Sequence, residues 1–137
     1  MKLIDNFCTK LDEKHFRYQR DTTESGRELL RLGLSGDHFT GLMVYVFFQS
    51  DTEAQFKCFN ICKFTEEKNL VILQTVNKLN LDYRLVKFAA TPEGMVTASI
   101  DVMAAEDTAA DILFYALSVI HTILDDVYPI LMKALYI

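Results

Sequence analysis

The chain has no tryptophan, two prolines, five glycines and three cysteines among 137 residues. The glycines are scattered singly, and none sits between a predicted strand and helix as a phosphate-cradling or dinucleotide-binding loop requires. No GxSxG occurs, and Ser25-Gly26 and Ser35-Gly36 sit in turn contexts, so there is no nucleophile with a base and an orienting group. Lys and Arg are nowhere clustered, and the net charge is −5. A duplex binder needs a basic face to displace counterions, so a nucleic-acid partner is not expected. Three cysteines is an odd number, and the opening MKLIDNF has no apolar h-region, so no signal peptide is visible. Reduced thiols in a cytoplasm are the simplest expectation. The longest candidate for a membrane span, Ile112 to Leu124, covers 13 positions, is bracketed by Asp111, Asp125 and Asp126, and contains Ser118, His121 and Thr122. A span needs about 20 mostly apolar residues, so no membrane partner is expected.

What is present is an ordinary globular composition, 50% hydrophobic and 24% charged. No internal repeat, low-complexity tract or long linker interrupts it, so residues 1–137 are read as one domain. Leu3, Ile4, Phe7, Cys8 and Leu11 make one apolar stripe on a first helix that stops near Lys14. Alternation from His15 to Arg20 predicts a short strand, and Asp21 to Gly26 a turn. Arg27–Leu34 is read as a strand from its alternating leucines. Thr40–Phe48 is apolar on both faces and predicts an interior strand covered on both sides at least in part. Ala54–Phe64 returns as another strand after a turn at Ser50–Glu53.

Thr65 is placed to cap a second helix that carries Glu66 and Glu67 in its first turn. That helix runs to about Leu79, burying Ile72, Leu73, Val76 and Leu79. Tyr83–Ala90 and Met95–Met103 form a hairpin across Thr91-Pro92-Glu93-Gly94. In its second arm Val96, Ala98, Ile100 and Val102 face inward, and Thr97, Ser99 and Asp101 outward. Asp107 or Thr108 caps a third helix, in which Pro129 predicts a kink or restart. The order is α-β-β-β-β-α-β-β-α, an α+β fold.

The third helix is too apolar for an ordinary surface helix. On a wheel, Asp111, Ser118, His121, Thr122, Asp125 and Asp126, with Lys133, fall within about 140°, and the other 220° or so is apolar. One core needs a stripe only somewhat over 100° wide. Either all three helices share one sheet face and bury the third inside a monomer, or the surplus meets a second copy. The favoured expectation is a homodimer through the stripe Ile112, Ala116, Val119, Ile123 and Ile130.

Candidate chemistry is sparse. Cys58 and Cys62 (CFNIC) on a strand lie roughly 13 Å apart, too far for a disulfide, and together with Cys8 they read as small buried hydrophobes. His121 and Asp125 are an i, i+4 pair, extended by Thr122 and Asp126. A zinc site needs three or four ligands with imidazole or thiolate predominating, and no second His is suitably spaced. A solvated polar arc or a local His121–Asp125 hydrogen bond is therefore expected, with no metal and no cofactor. His38 reads as a turn residue, and His15 has no evident partner.

The run Thr75–Phe88, TVNKLNLDYRLVKF, resembles the YbjN family of bacterial domains, in which a helix ends in a Leu-Asn-x-Leu-Asn-like phrase and leads into a Tyr-Arg-x-x-Lys-Phe strand. Val76 stands where that phrase prefers Leu. The arm Val96–Asp101 and the ending Tyr128–Leu135 are similar as well. The resemblance covers roughly residues 66 to 137, with only element order before that. It implies a fold like that of type III secretion chaperones, with helices packed on one face of an antiparallel sheet. Its members are described as bacterial sensory-transduction regulators without an established activity. Related folds bind partner polypeptides and often dimerise; the family supplies no functional residue to carry over.

The expected function is therefore a non-enzymatic cytoplasmic binding or chaperone-like regulatory module that associates with protein partners. One alternative is a small-ligand-binding or enzymatic domain centred on His121, Asp125 and Asp126. Another is a structural subunit of a larger assembly.

Overall fold

The computed structural model describes residues 2–137. Helix α1 spans Leu3–Glu13, and all five residues of its predicted stripe are buried. It stops on His15, which adopts φ 61°. The Phe16 N–H then reaches back to the Leu11 carbonyl at 2.9 Å, a left-handed helix stop. This stop corrects the expected first strand. His15 and Phe16 leave the helix instead of entering the sheet, and Phe16 turns edge-on to Phe114 at 5.6 Å. Strand β1 is Gln19–Thr22, displaced toward the predicted turn and exposed throughout.

Strands β2 (Glu28–Leu34), β3 (Leu42–Phe48) and β4 (Glu53–Lys63) follow as a meander. A 3-10 turn at Glu66–Lys68 leads into α2 (Asn69–Asp82), then β5 (Lys87–Ala90), β6 (Met95–Met103) and α3 (Ala109–Tyr136). The element order is the one expected. The six strands lie in the order β1-β2-β3-β4-β6-β5, every neighbouring pair antiparallel.

All three helices pack on one face. Leu30 and Leu32 of β2, Val44 and Val46 of β3 and Phe56 of β4 point into that layer and are almost wholly buried. Helix α3 lies over β4 and β6, flanked by α1 and α2. Leu113, Leu117, Ile120, Leu124, Val127 and Leu131 disappear beneath it. Each such side chain contributes about 1.5–3 kcal/mol of burial, which outweighs the missing donor at Pro129. Helix α3 runs through Pro129 without the restart offered as one expectation, with Pro129 exposed on its outer side. Among the described residues, no helix is long and apolar enough to cross a membrane.

Three further expectations need correction. Thr65 makes no side-chain cap bond; its carbonyl instead accepts the Lys68 N–H at 2.9 Å, closing the 3-10 turn. Leu73 faces solvent and is 46% exposed, because α2 meets the body along Ile72, Val76 and Leu79. Strand β5 begins at Lys87, not Tyr83. The Tyr83 N–H still bonds to the Leu79 carbonyl, so the chain leaves α2 late.

The α2–β5 junction is held by Asn80. Its Nδ2 donates to the Phe88 carbonyl at 2.9 Å, and its Oδ1 accepts the Phe88 N–H at 2.8 Å. Asn80→Ala should destabilise the fold by about 1–2 kcal/mol in urea titration, because both backbone groups lose their partner. Asn80→Asp should not restore the loss, since a carboxylate has no proton to donate to the Phe88 carbonyl.

Candidate functional site: the open face of the sheet

The predicted polar centre on α3 is a structural clasp. The Ser35 carbonyl can only accept, so the His121 Nε2 that lies 2.7 Å from it carries the proton. Asp125 accepts the His38 N–H at 2.8 Å, and its other oxygen lies 3.4 Å from His38 Nδ1. A Cβ on Gly36 would stand 2.5 Å from Asp125 Oδ1, so the β2–β3 loop approaches this closely only as glycine. Phe39 is buried beside it, edge-on to His121 at 6.0 Å.

The arc is solvated, as expected, at Asp111, Ser118, Thr122, Asp126 and Lys133, while His121 and Asp125 within it hold the β2–β3 loop and Asp111 also pairs with Lys10 of α1 at 2.6 Å. Asp126 does not join the His121–Asp125 pair. The Tyr83 phenol is pushed up by burial and then by the Asp126 and Asp82 charges. Among the described residues, no three His, Cys, Asp or Glu side chains are grouped to hold a metal.

The cysteines are free and buried. Burial pushes both Cys58 and Cys62 up to about 11, and a register shift in β4 lies between them. In the stripe assigned to self-association, Ile112 and Ile130 are exposed at 39% and 43%. Val119 and Ile123 are half-buried, and Ala116, at 4%, lies beneath this outer ridge of α3.

The candidate surface that sequence reasoning missed is the sheet face without helices. Register assembles it. One ladder reads Gln19, Arg31, Tyr45, Lys57, Ser99 and Lys87 across all six strands, and the next reads Asp21, Leu29, Phe47, Gln55 and Asp101. The expectation that β3 is covered on both sides is corrected here: Met43 is 43% exposed, and Tyr45 and Phe47 are shielded only by their neighbours.

Between Cys58 and Cys62, the β4 bulge sets three residues against Thr97, and Phe59 emerges on the open face at 40% exposure. Phe59 meets Tyr45 at 5.3 Å and Phe47 at 6.1 Å, both edge-on. The Tyr45 and Phe47 rings are inclined by 14° at 6.2 Å. Arg27 sits 5.8 Å over Phe47 and Lys57 sits 5.0 Å over Phe59, so cations border an apolar cluster. A signal was available in the outward residues Arg31 and Lys57, which mark a wet face, and the register places Tyr45 on it. Thr97 and Ser99, expected to be solvated on the same face, are buried at 8% and 6%.

Two outcomes test these assignments. His121→Ala with Asp125→Asn should lower stability by about 1–3 kcal/mol and raise hydrogen exchange at the His38 amide; unchanged exchange would return the arc to solvent. The three thiols should resist an aromatic disulfide reagent in the folded protein and react fully in denaturant.

The family model described as "Putative bacterial sensory transduction regulator", YbjN, matches residues 4–131. The crystal structure of E. coli YbjN, described as "a putative transcription regulator", superposes with a TM-score of 0.55 at 11% identity, covering 90% of each chain. That likeness extends over the first sixty residues, where only element order was legible in the sequence. No curated protein matches the chain by sequence. With the family model spanning nearly its whole length and the same layered α+β fold present, the chain belongs to the YbjN family.

Proposed function

We propose that the chain is a regulatory module of the bacterial cytoplasm that works without catalysis or a cofactor, by binding other proteins through the open face of its sheet. One observation carries this reading. Leu29, Met43, Tyr45, Phe47 and Phe59 form an apolar cluster rimmed by cations on the face that no helix covers. Contiguous apolar surface with a polar rim marks interaction sites on soluble domains. Aromatic residues and arginine are the residue types that anchor such contacts. The description of the family as regulators agrees with a module that acts by association.

Self-association belongs to the same reading and uses the other side of the molecule. The α3 ridge of Ile112, Val119, Ile123 and Ile130 is assigned to a twofold contact with a second copy, which leaves both sheet faces pointing outward.

A photo-crosslinking amino acid at position 43 or 59 should trap polypeptides in the host cell, and one at Glu66 should not. Phe59→Asp should suppress trapping from position 43. Equal trapping from all three positions removes the sheet face as the working surface. Light scattering should give twice the chain mass at micromolar concentration, and Ile112→Glu with Ile130→Glu should halve it. A monomer mass at every concentration ends the dimer.

A further inference from the structure

Two shallow depressions share Met43 on the open face. One, of about 590 Å³, is lined by Leu29, Leu42, Tyr45, Phe47 and Phe59; the other, of about 670 Å³, by Phe16, Arg17, Gln19, Arg31 and Gly33, with Asp12 the one carboxylate in its lining. Together they make one trough from the β1 side of the sheet to β4. It crosses about three strand spacings, roughly 15 Å, the length of four or five extended residues.

We propose that this trough receives a short acidic segment of a partner protein carrying a bulky apolar anchor; the proposal rests on the protein-binding reading above. The charges argue for it first. The chain is acidic, at −5, yet Arg17, Arg27, Arg31 and Lys57 gather around the trough. Among the described residues, Arg17, Arg27 and Lys57 have no carboxylate within 4.0 Å. Arg31 is only partly engaged. Its Nη2 donates to the neutral Gln19 Oε1 at 2.6 Å, its pair with Asp21 is long at 3.6 Å, and its Nε is buried with no hydrogen-bond partner. Arg27 likewise donates to the neutral Gln49 Oε1 at 3.0 Å. Cations held by neutral amides or by no side chain are complementary to an incoming carboxylate.

The floor argues for the anchor. Gly33 faces the trough opposite Met43 and is not among the positive-φ glycines, and a Cβ built there meets nothing within 4 Å. The backbone does not need glycine at this position, so the missing side chain leaves open space between Arg31 and Met43. Phe59, Tyr45 and Met43 then offer ring edges and a flexible thioether to an apolar group.

A single-stranded nucleic acid fits less well. Base stacking needs free ring faces, and Arg27 and Lys57 already lie over those of Phe47 and Phe59. A long polyanion would also meet the net charge of −5, which a short acidic segment meets with only a few charges.

The test is selection of random octapeptides on the full chain by phage display, followed by fluorescence anisotropy of the selected peptide. Selected sequences should set Asp or Glu beside Phe, Leu or Trp. Arg31→Glu with Lys57→Glu should weaken binding by about tenfold or more. Gly33→Leu should do the same with an unchanged melting temperature, since its side chain enters open space. Selection of basic or uncharged peptides, undiminished binding to Gly33→Leu, or displacement by oligouridine overturns the proposal. If crosslinks from positions 43 and 59 appear but no acidic peptide is selected, the partner chemistry is wrong and the protein-binding reading stands. If both are absent, both fall.

Discussion

The girth of α3 is the constraint from which the rest of the architecture follows. A helix apolar over most of its circumference cannot lie at the edge of a layer, because one sheet face covers only a stripe of it. The fold answers by placing α3 centrally over β4 and β6 and setting α1 and α2 on its two flanks. With one long helix needing both short ones as neighbours, no helix remains for the other side of the sheet. The polar arc of α3 is fitted to the same arrangement, since Asp111 meets α1 while His121 and Asp125 hold the β2–β3 loop.

The bare face is therefore a product of how the core is built, and its residues reconcile two demands. They must keep a six-stranded sheet soluble, which the polar members of each ladder do. They also retain five bulky apolar side chains that water solvates poorly. Cations over two of the rings moderate that exposure, because the stems of Lys and Arg cover apolar surface while their heads stay wet. Phe59 follows Gln55 and Lys57 in the alternation of β4 onto this face, beside the shift that begins after Cys58, and there its ring meets both Tyr45 and Phe47 edge-on.

Much of this was legible from periodicity, and the failures have physical causes. Helix α1 fell where the apolar pattern placed it, and so did the bounds and inner face of β6, but Thr97 and Ser99 on its outer face are covered by the neighbouring strands where alternation alone predicted water. The first strand was misplaced because Phe16 and Tyr18 alternate as a strand would, while a left-handed His15 redirects the chain. Pro129 was read as a kink or a restart; the helix does not restart, since one missing donor on an outer face is a small loss beside the burial on the inner one. For α3 the wheel identified the polar side and was silent on what that side would face. Strand β3 was the most consequential case. A run apolar on both faces looks the same whether its second face is covered by helices or only by neighbouring strands. The distinction lay in the cross-strand register, which pairs Tyr45 with Arg31 and Lys57.

The double hydrogen bond from Asn80 has a consequence beyond the junction it holds. A side-chain amide carries one donor and one acceptor in the same spacing as a peptide group, so on β5 it occupies the place that a seventh strand would take at Phe88. That edge of the sheet is closed to lateral growth at its centre. The opposite edge is β1, four exposed residues bearing Arg20 and Asp21, a short charged strand of the kind that discourages edge-to-edge pairing. A sheet with a broad apolar patch on its surface is thus prevented from polymerising through its backbone, and contacts made on the open face remain contacts between side chains.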